Sequence, residues 1–153
     1  MDVYERLKEL GVELPKPAAP IGLYKPALQV GNFVYVSGQG NAQNGKFTHV
    51  GKVGAELSLE DGQASARVCA INTLAALEAC IGDLNKIKRI VRTFGLVNCT
   101  EDFGQQPKVI NGFSQLMADI WGEDDGIGVR CAVGTNVLPD NIATEIESIF
   151  ELK

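Results

Sequence analysis

The run from about Leu59 to Ile81 constrains this chain most, because it reads as one long helix that must lie on another apolar surface. Ser58, with Asp61 three positions later, makes the capping-box pattern that starts a helix, and Gly82 is a natural terminator. The alanines along it (Ala64, Ala66, Ala70, Ala75, Ala76 and Ala79) leave its surface low enough for close approach to a sheet.

The remaining segments supply that sheet. Val3, Leu7 and Leu10 recur at helical spacing and stop at Gly11, which predicts a short N-terminal helix. Pro15, Pro17 and Pro20 then force an extended connection, since proline removes amide donors and restricts the residue before it. Leu28 to Val30 and Phe33 to Gly38 form a hairpin through Gly31-Asn32. In it Phe33, Tyr35 and Ser37 face one side, and Val34, Val36 and Gly38 the other. The glycine-rich stretch from Gly40 to Gly54 leaves room for a third strand around Phe47 to Val50. Ile90 to Val97 reads as a strand. A second long helix starts near Pro107 and runs through Ile110, Phe113, Leu116, Met117, Ile120 and Trp121. After the break Gly122-Glu123-Asp124-Asp125-Gly126 come two final strands.

Helices interspersed in a mixed sheet predict a two-layer α+β fold with both long helices on one face. A single domain over 1–153 accommodates it, with 1–20 as an N-terminal helix and proline-rich extension. In the last strand Ile146, Ser148, Phe150 and Leu152 should meet the helices, and Glu145, Glu147, Ile149 and Glu151 look outward. Ile149 among those acids points to partial burial by another subunit.

Composition narrows the function classes. Net charge is −5, without a lysine- or arginine-rich stripe, which argues against general nucleic-acid binding. No run approaches the roughly 20 apolar residues of a membrane span, and the N-terminus lacks a signal-peptide pattern. A cytoplasmic protein with no membrane association is the expectation. Cys69, Cys80, Cys99 and Cys131 form no CxxC pair, and His49 has no ligand partner at metal spacing. Buried reduced thiols are expected, with Cys69 and Cys80 three helical turns apart and able to face one core. Neither a structural metal nor a disulfide framework is expected.

Chemistry concentrates near the C-terminus, in Val129-Arg130-Cys131-Ala132-Val133 and, after Leu138-Pro139-Asp140-Asn141, in Ala143-Thr144-Glu145-Ile146-Glu147. Read as two strands joined by a turn, these segments place an arginine and a carboxylate on neighbouring strands. A cationic fork beside an acid suits recognition of a small organic acid together with activation of a water.

At four blocks the chain resembles the YjgF/RidA family of reactive-intermediate deaminases. They are Ile21-Gly22-Leu23-Tyr24, Gly31-Asn32-Phe33-Val34-Tyr35-Val36-Ser37-Gly38-Gln39, Ile90-Val91-Arg92-Thr93 onward to Asp102-Phe103, and Arg130 through Leu138-Pro139 to Glu145-Ile146-Glu147. The resemblance implies a chorismate-mutase-like fold and a homotrimer with ligand clefts at subunit boundaries. It also implies hydrolysis of 2-imino or enamino acids to 2-keto acids and ammonia, with no cofactor or metal. Carried over, Arg130 would grip the substrate carboxylate and Glu145 would hold the attacking water. Tyr24, Ser37, Gly38 and Asn111 would line the cleft. The chain departs from the pattern at Ala132, where the family often has a thiol, at Leu23, where proline is usual, and in its additional N-terminal helix. Ala132 and the longer segments flanking Asn111, Gly104 to Lys108 and Glu123 to Gly126, motivate a second reading, a regulatory trimer that binds small carboxylates without turnover. Endoribonuclease activity, a label attached to relatives, is the third, and the acidic balance counts against it.

Overall fold

The structure, a computed structural model, describes residues 2–153. Helix α1 (Val3–Glu9) starts at Asp2, whose carboxylate accepts from the Tyr4 and Glu5 amides. Strands β1 (Ala27–Val30) and β2 (Phe33–Gln39) form the expected hairpin, and Gly31 takes φ 60° at the first turn position. That is the backbone a type II′ turn demands of glycine there. Next comes a two-residue pair, β3 (Ala42–Gln43) and β4 (Lys46–Phe47), closed by Asn44 and Gly45 with φ of 52° and 76°. This small hairpin replaces the single strand expected at Phe47 to Val50. Of that stretch, Val50 makes only an isolated bridge to Ile142.

Helix α2 spans Leu59–Ile81, with the Ser58–Asp61 capping box formed and Gly82 closing it at φ 79°. By length and apolar composition α2 could cross a bilayer, contrary to the sequence expectation, but 56% of its most apolar window is buried inside the fold, as in a core helix. After a 3-10 turn (Leu84–Lys86), β5 covers Ile87–Asn98. Helix α3 runs Gln106–Gly126, interrupted at Gly122, where φ is 77° and ψ −179°. The segment expected as a loop, Glu123 to Gly126, is therefore a further helical turn beyond a kink. Strands β6 (Val129–Thr135) and β7 (Thr144–Leu152) end the chain.

The five-stranded sheet has the order β1-β2-β7-β5-β6. Only β5 and β6 are parallel, because α3 crosses over between them. Strand β7 inserts between β2 and β5, antiparallel to both. Helices α2 and α3 pack on one face, as expected, and Val34, Val36, Ile90, Val97, Ile146 and Phe150 meet them from the sheet. Glycine is required where the two helices touch, since a Cβ on Gly112 would lie 2.1 Å from the Gln63 carbonyl oxygen. Helix α1 adds Val3 and Leu7 to the same core. It is tied down by Arg6 Nε donating to the Asp119 carbonyl at 2.7 Å and by the Tyr4 hydroxyl accepting from the Leu84 amide.

The cysteines depart from one expectation. Cys69 and Cys99 are buried, but Cys80 is exposed. In α2 the residues from Thr73 to Leu77 are covered, but in the last turn only Ile81 remains buried and Cys80 faces out beside Ala79.

Candidate active site

Arg130 is paired across the sheet with Thr93, which in turn pairs with Ser148. Thr93 and Ser148 are buried beneath the helices, so strand alternation sends Arg130 to the helix side of the sheet edge. There α3 holds its guanidinium. Nη1 donates to Asn111 Oδ1 at 2.8 Å and to Ser114 Oγ at 3.1 Å, and Nη2 donates to the Pro107 carbonyl at 3.1 Å. Asn111 and Ser114 sit three apart on α3, one turn above each other, so both reach the same group. No acceptor among the described residues meets Nε, and no carboxylate among them pairs with Arg130. Nε and one of the two Nη2 N–H groups therefore have no acceptor among the described residues, beside a hollow of about 400 Å3. Arg6, Arg89 and Arg92, by contrast, each have a carboxylate partner within 3.4 Å.

Glu145 occupies the other face. It pairs with Leu96, and its neighbours Thr144 and Ile146 are fully buried toward the helices. A break in register between Val36 and Gln39 brings the end of β2 against it. A Cβ on Gly38 would stand 2.9 Å from Glu145 Oε1, so glycine is what lets the carboxylate sit there. Burial, and secondarily repulsion from Glu147, push the Glu145 carboxyl above the usual carboxylate range. Glu145, Gly38 and Tyr24 line a second hollow of about 360 Å3, together with the proline-rich strap from Pro15 to Ile21. Its rim is the loop before β7, where Asp140 and Asn141 both adopt φ 56°. Asn98, fully buried, secures that loop by donating from Nδ2 to Asn141 Oδ1 at 2.9 Å.

The sequence reading of this pair needs two corrections. Strands β6 and β7 are not neighbours, because β5 lies between them, and within one chain Arg130 and Glu145 point to opposite sides of the sheet. The parallel crossover through α3 is the cause: it carries β6 to the outer edge of the sheet, and β7 returns to the middle. The candidates therefore divide into an arginine half (Arg130, Asn111) and an acid half (Glu145, Gly38, Tyr24). Ser37 lies in neither hollow's lining; its hydroxyl donates to the Lys25 carbonyl at 2.6 Å and pins the strap to β2. Cys131 pairs with Phe94 on the face away from Arg130, and Ala132 shares Arg130's face. Ser114 and the Pro107 carbonyl were missed from the sequence, although the spacing of Asn111 and Ser114 on one helical face was a usable signal.

Residues 4–151 match the model of the family described as "YjgF/chorismate mutase-like, putative endoribonuclease". The chain belongs to that family. Protein TCP17 of Trypanosoma cruzi is 37% identical over 98% of this chain and 94% of its own length. Among solved structures, Atu1372 from Agrobacterium tumefaciens, a protein of unknown function, superposes with a TM-score of 0.91 at 41% identity, covering 99% of this chain and 92% of that one. A protein of Shewanella oneidensis labelled an endoribonuclease gives a TM-score of 0.95 at 32% identity over 99% of this chain and 100% of its own. Coverage of 99% takes in α1, so the N-terminal helix marks a subgroup within the YjgF/RidA fold.

Proposed function

We propose that the protein hydrolyses small reactive 2-imino and enamino acids to 2-keto acids and ammonia, in clefts where the arginine half of one copy meets the acid half of another in a homotrimer. The observation that carries this reading is Arg130 itself. It is an exposed arginine held by three hydrogen bonds, without a carboxylate of its own among the described residues, and with Nε and one Nη2 N–H left to form a two-nitrogen edge. Such an edge matches a substrate carboxylate through two parallel charge-assisted bonds.

The chemistry follows from the two halves. Arg130 fixes the carboxylate and so places the C=N carbon near Glu145. Water adds to that carbon of the protonated imine, forming a C–O bond as the C=N electron pair moves onto nitrogen, while Glu145 accepts the proton the water loses. The acid then returns this proton to nitrogen, and the C–N bond breaks as the new hydroxyl becomes the keto carbonyl and gives its proton to the departing amine, leaving a keto acid and ammonium. Burial that raises the Glu145 pKa makes its carboxylate a stronger base and brings its titration nearer neutrality than an ordinary glutamate's, which suits taking up and returning a proton. Residues of the chain perform every step, and no metal or cofactor enters this scheme. We place the reaction in the cytoplasm, whose reducing conditions suit four free thiols.

Assembly through the outward sheet face joins the halves. Leu28, Val30, Phe33, Tyr35 and Val133 are each more than a third exposed there, an apolar surface of the kind that self-association covers. Mixing two inactive variants tests the shared cleft. Arg130→Ala and Glu145→Gln copies, co-refolded in equal amounts, regain about a quarter of the wild-type sites, because each site draws one half from each of two copies. No recovery sinks the two-copy site. A trimer that binds keto acids without releasing ammonia from fresh imines would establish the regulatory reading instead, which Ala132 on the arginine's face favours. Endoribonuclease activity fits poorly with acids at Glu145, Glu147 and Glu151 along the outward face of β7.

A further inference from the structure

We infer that this cleft selects 2-imino acids with a bulky, uncharged apolar side chain over the three-carbon and dicarboxylic ones. The inference rests on the imine-hydrolase reading for its chemistry, and on the hollow around Glu145 for its selectivity.

That hollow measures about 360 Å3. It falls within the roughly 300–1,000 Å3 of sites that enclose organic ligands well above three carbons. A methyl-bearing imino acid gripped by arginine and set against Glu145 would leave most of it filled with water. Apolar side chains make up much of the lining (Ala75 and Ala76 of α2, Phe47 of the small hairpin, Ile142 before β7, and Pro17 and Ile21 of the strap), beside the polar Gln39, Asn44 and Asn72. Alanine at the two helical positions, both at least 96% buried, keeps the floor low. The charged groups at the wall are Lys16, Asp140 and Glu145, one positive and two negative. A second substrate carboxylate would therefore meet net repulsion. The Nδ2 of Asn72 already donates to the Gly40 and Ala42 carbonyls, each at 2.9 Å, which leaves its Oδ1 as the one open polar atom of that amide. The strap is the specificity element, because Pro15 to Ala19 and Ile21 border this hollow.

Keto acids provide stable probes of the same pocket. Calorimetry with the full-length protein should show phenylpyruvate and 4-methyl-2-oxopentanoate binding at least about 10-fold tighter than pyruvate or 2-oxoglutarate, the scale set by one or two buried methylenes. Equal or tighter binding of pyruvate or 2-oxoglutarate overturns the inference. Ala18→Phe, at an exposed strap position that lines the hollow, fills it without touching the core. In that variant the ratio between phenylpyruvate and pyruvate collapses, and an unchanged ratio shows that the strap is not the wall. Turnover is read separately, as keto-acid release from imines generated by an amino-acid oxidase acting on phenylalanine, leucine, alanine and glutamate. Selective binding without imine hydrolysis removes the deaminase reading and keeps the selectivity. Failure to bind any of the four keto acids removes both.

Discussion

Arg130 and Glu145 receive opposite treatment from their own chain. The arginine is satisfied on one edge by Asn111, Ser114 and the Pro107 carbonyl, while the acid is half-buried without a donor among the described residues. Arg130→Ala is expected to lower kcat/KM for imine hydrolysis by on the order of 10²-fold, the value of a bidentate charge-assisted contact. Stability should barely change, since the residue is exposed. For Glu145 the sign can be worked out. Burial raises its folded-state pKa, so the fold favours the protonated form, and its contribution to stability is lost as pH rises through that raised value. Glu145→Gln should therefore unfold at a higher temperature than wild type at neutral pH and show no such gain at acid pH. The same variant loses about 10² to 10⁴-fold in turnover, which separates a catalytic acid from a structural one. Gly38→Ala probes the seat directly: its Cβ would displace a flexible carboxylate end rather than backbone, so activity falls about tenfold or more while the melting temperature holds.

The elements show what a one-dimensional reading can and cannot extract. Helix α2 was legible because its start, its stop and its alanines are local signals, and the structure reproduces Leu59–Ile81. The alternation of β7 was legible for the same reason, as Ile146, Ser148 and Phe150 are buried and Glu147 is exposed. The pairing of β6 with β5 rather than β7 was not, because strand neighbours are chosen by the handedness and length of the α3 crossover, a tertiary fact. The face of Arg130 followed from that unseen pairing. Asn44-Gly45, by contrast, was a readable hairpin signal that the glycine-rich surroundings obscured. Contact between α2 and α3 gives the element-scale prediction. Gly112→Ala would thrust a methyl group into the Gln63 carbonyl, forcing the two helices apart at a cost of about 3 kcal/mol, measurable by urea unfolding. A cost below about 0.5 kcal/mol would mean that the helices are not locked at that point.

At the scale of the whole molecule, one chain offers a covered helix layer and an uncovered sheet face. The family fold accounts for the first, and the proposed homotrimer would cover the second. Sedimentation should give a mass near three chains. Tyr35→Glu, which puts a charge in the middle of the exposed face, should yield a folded monomer with native circular dichroism and little imine hydrolysis. A fully active Tyr35→Glu monomer would show that one chain suffices.

Strand β5, wedged between β6 and β7, has a last consequence. A newly synthesised polypeptide cannot quench its own cation with its own acid. On the proposed two-copy site both charges stay available until a sister molecule arrives, and dilution is then expected to silence turnover well before it denatures the fold.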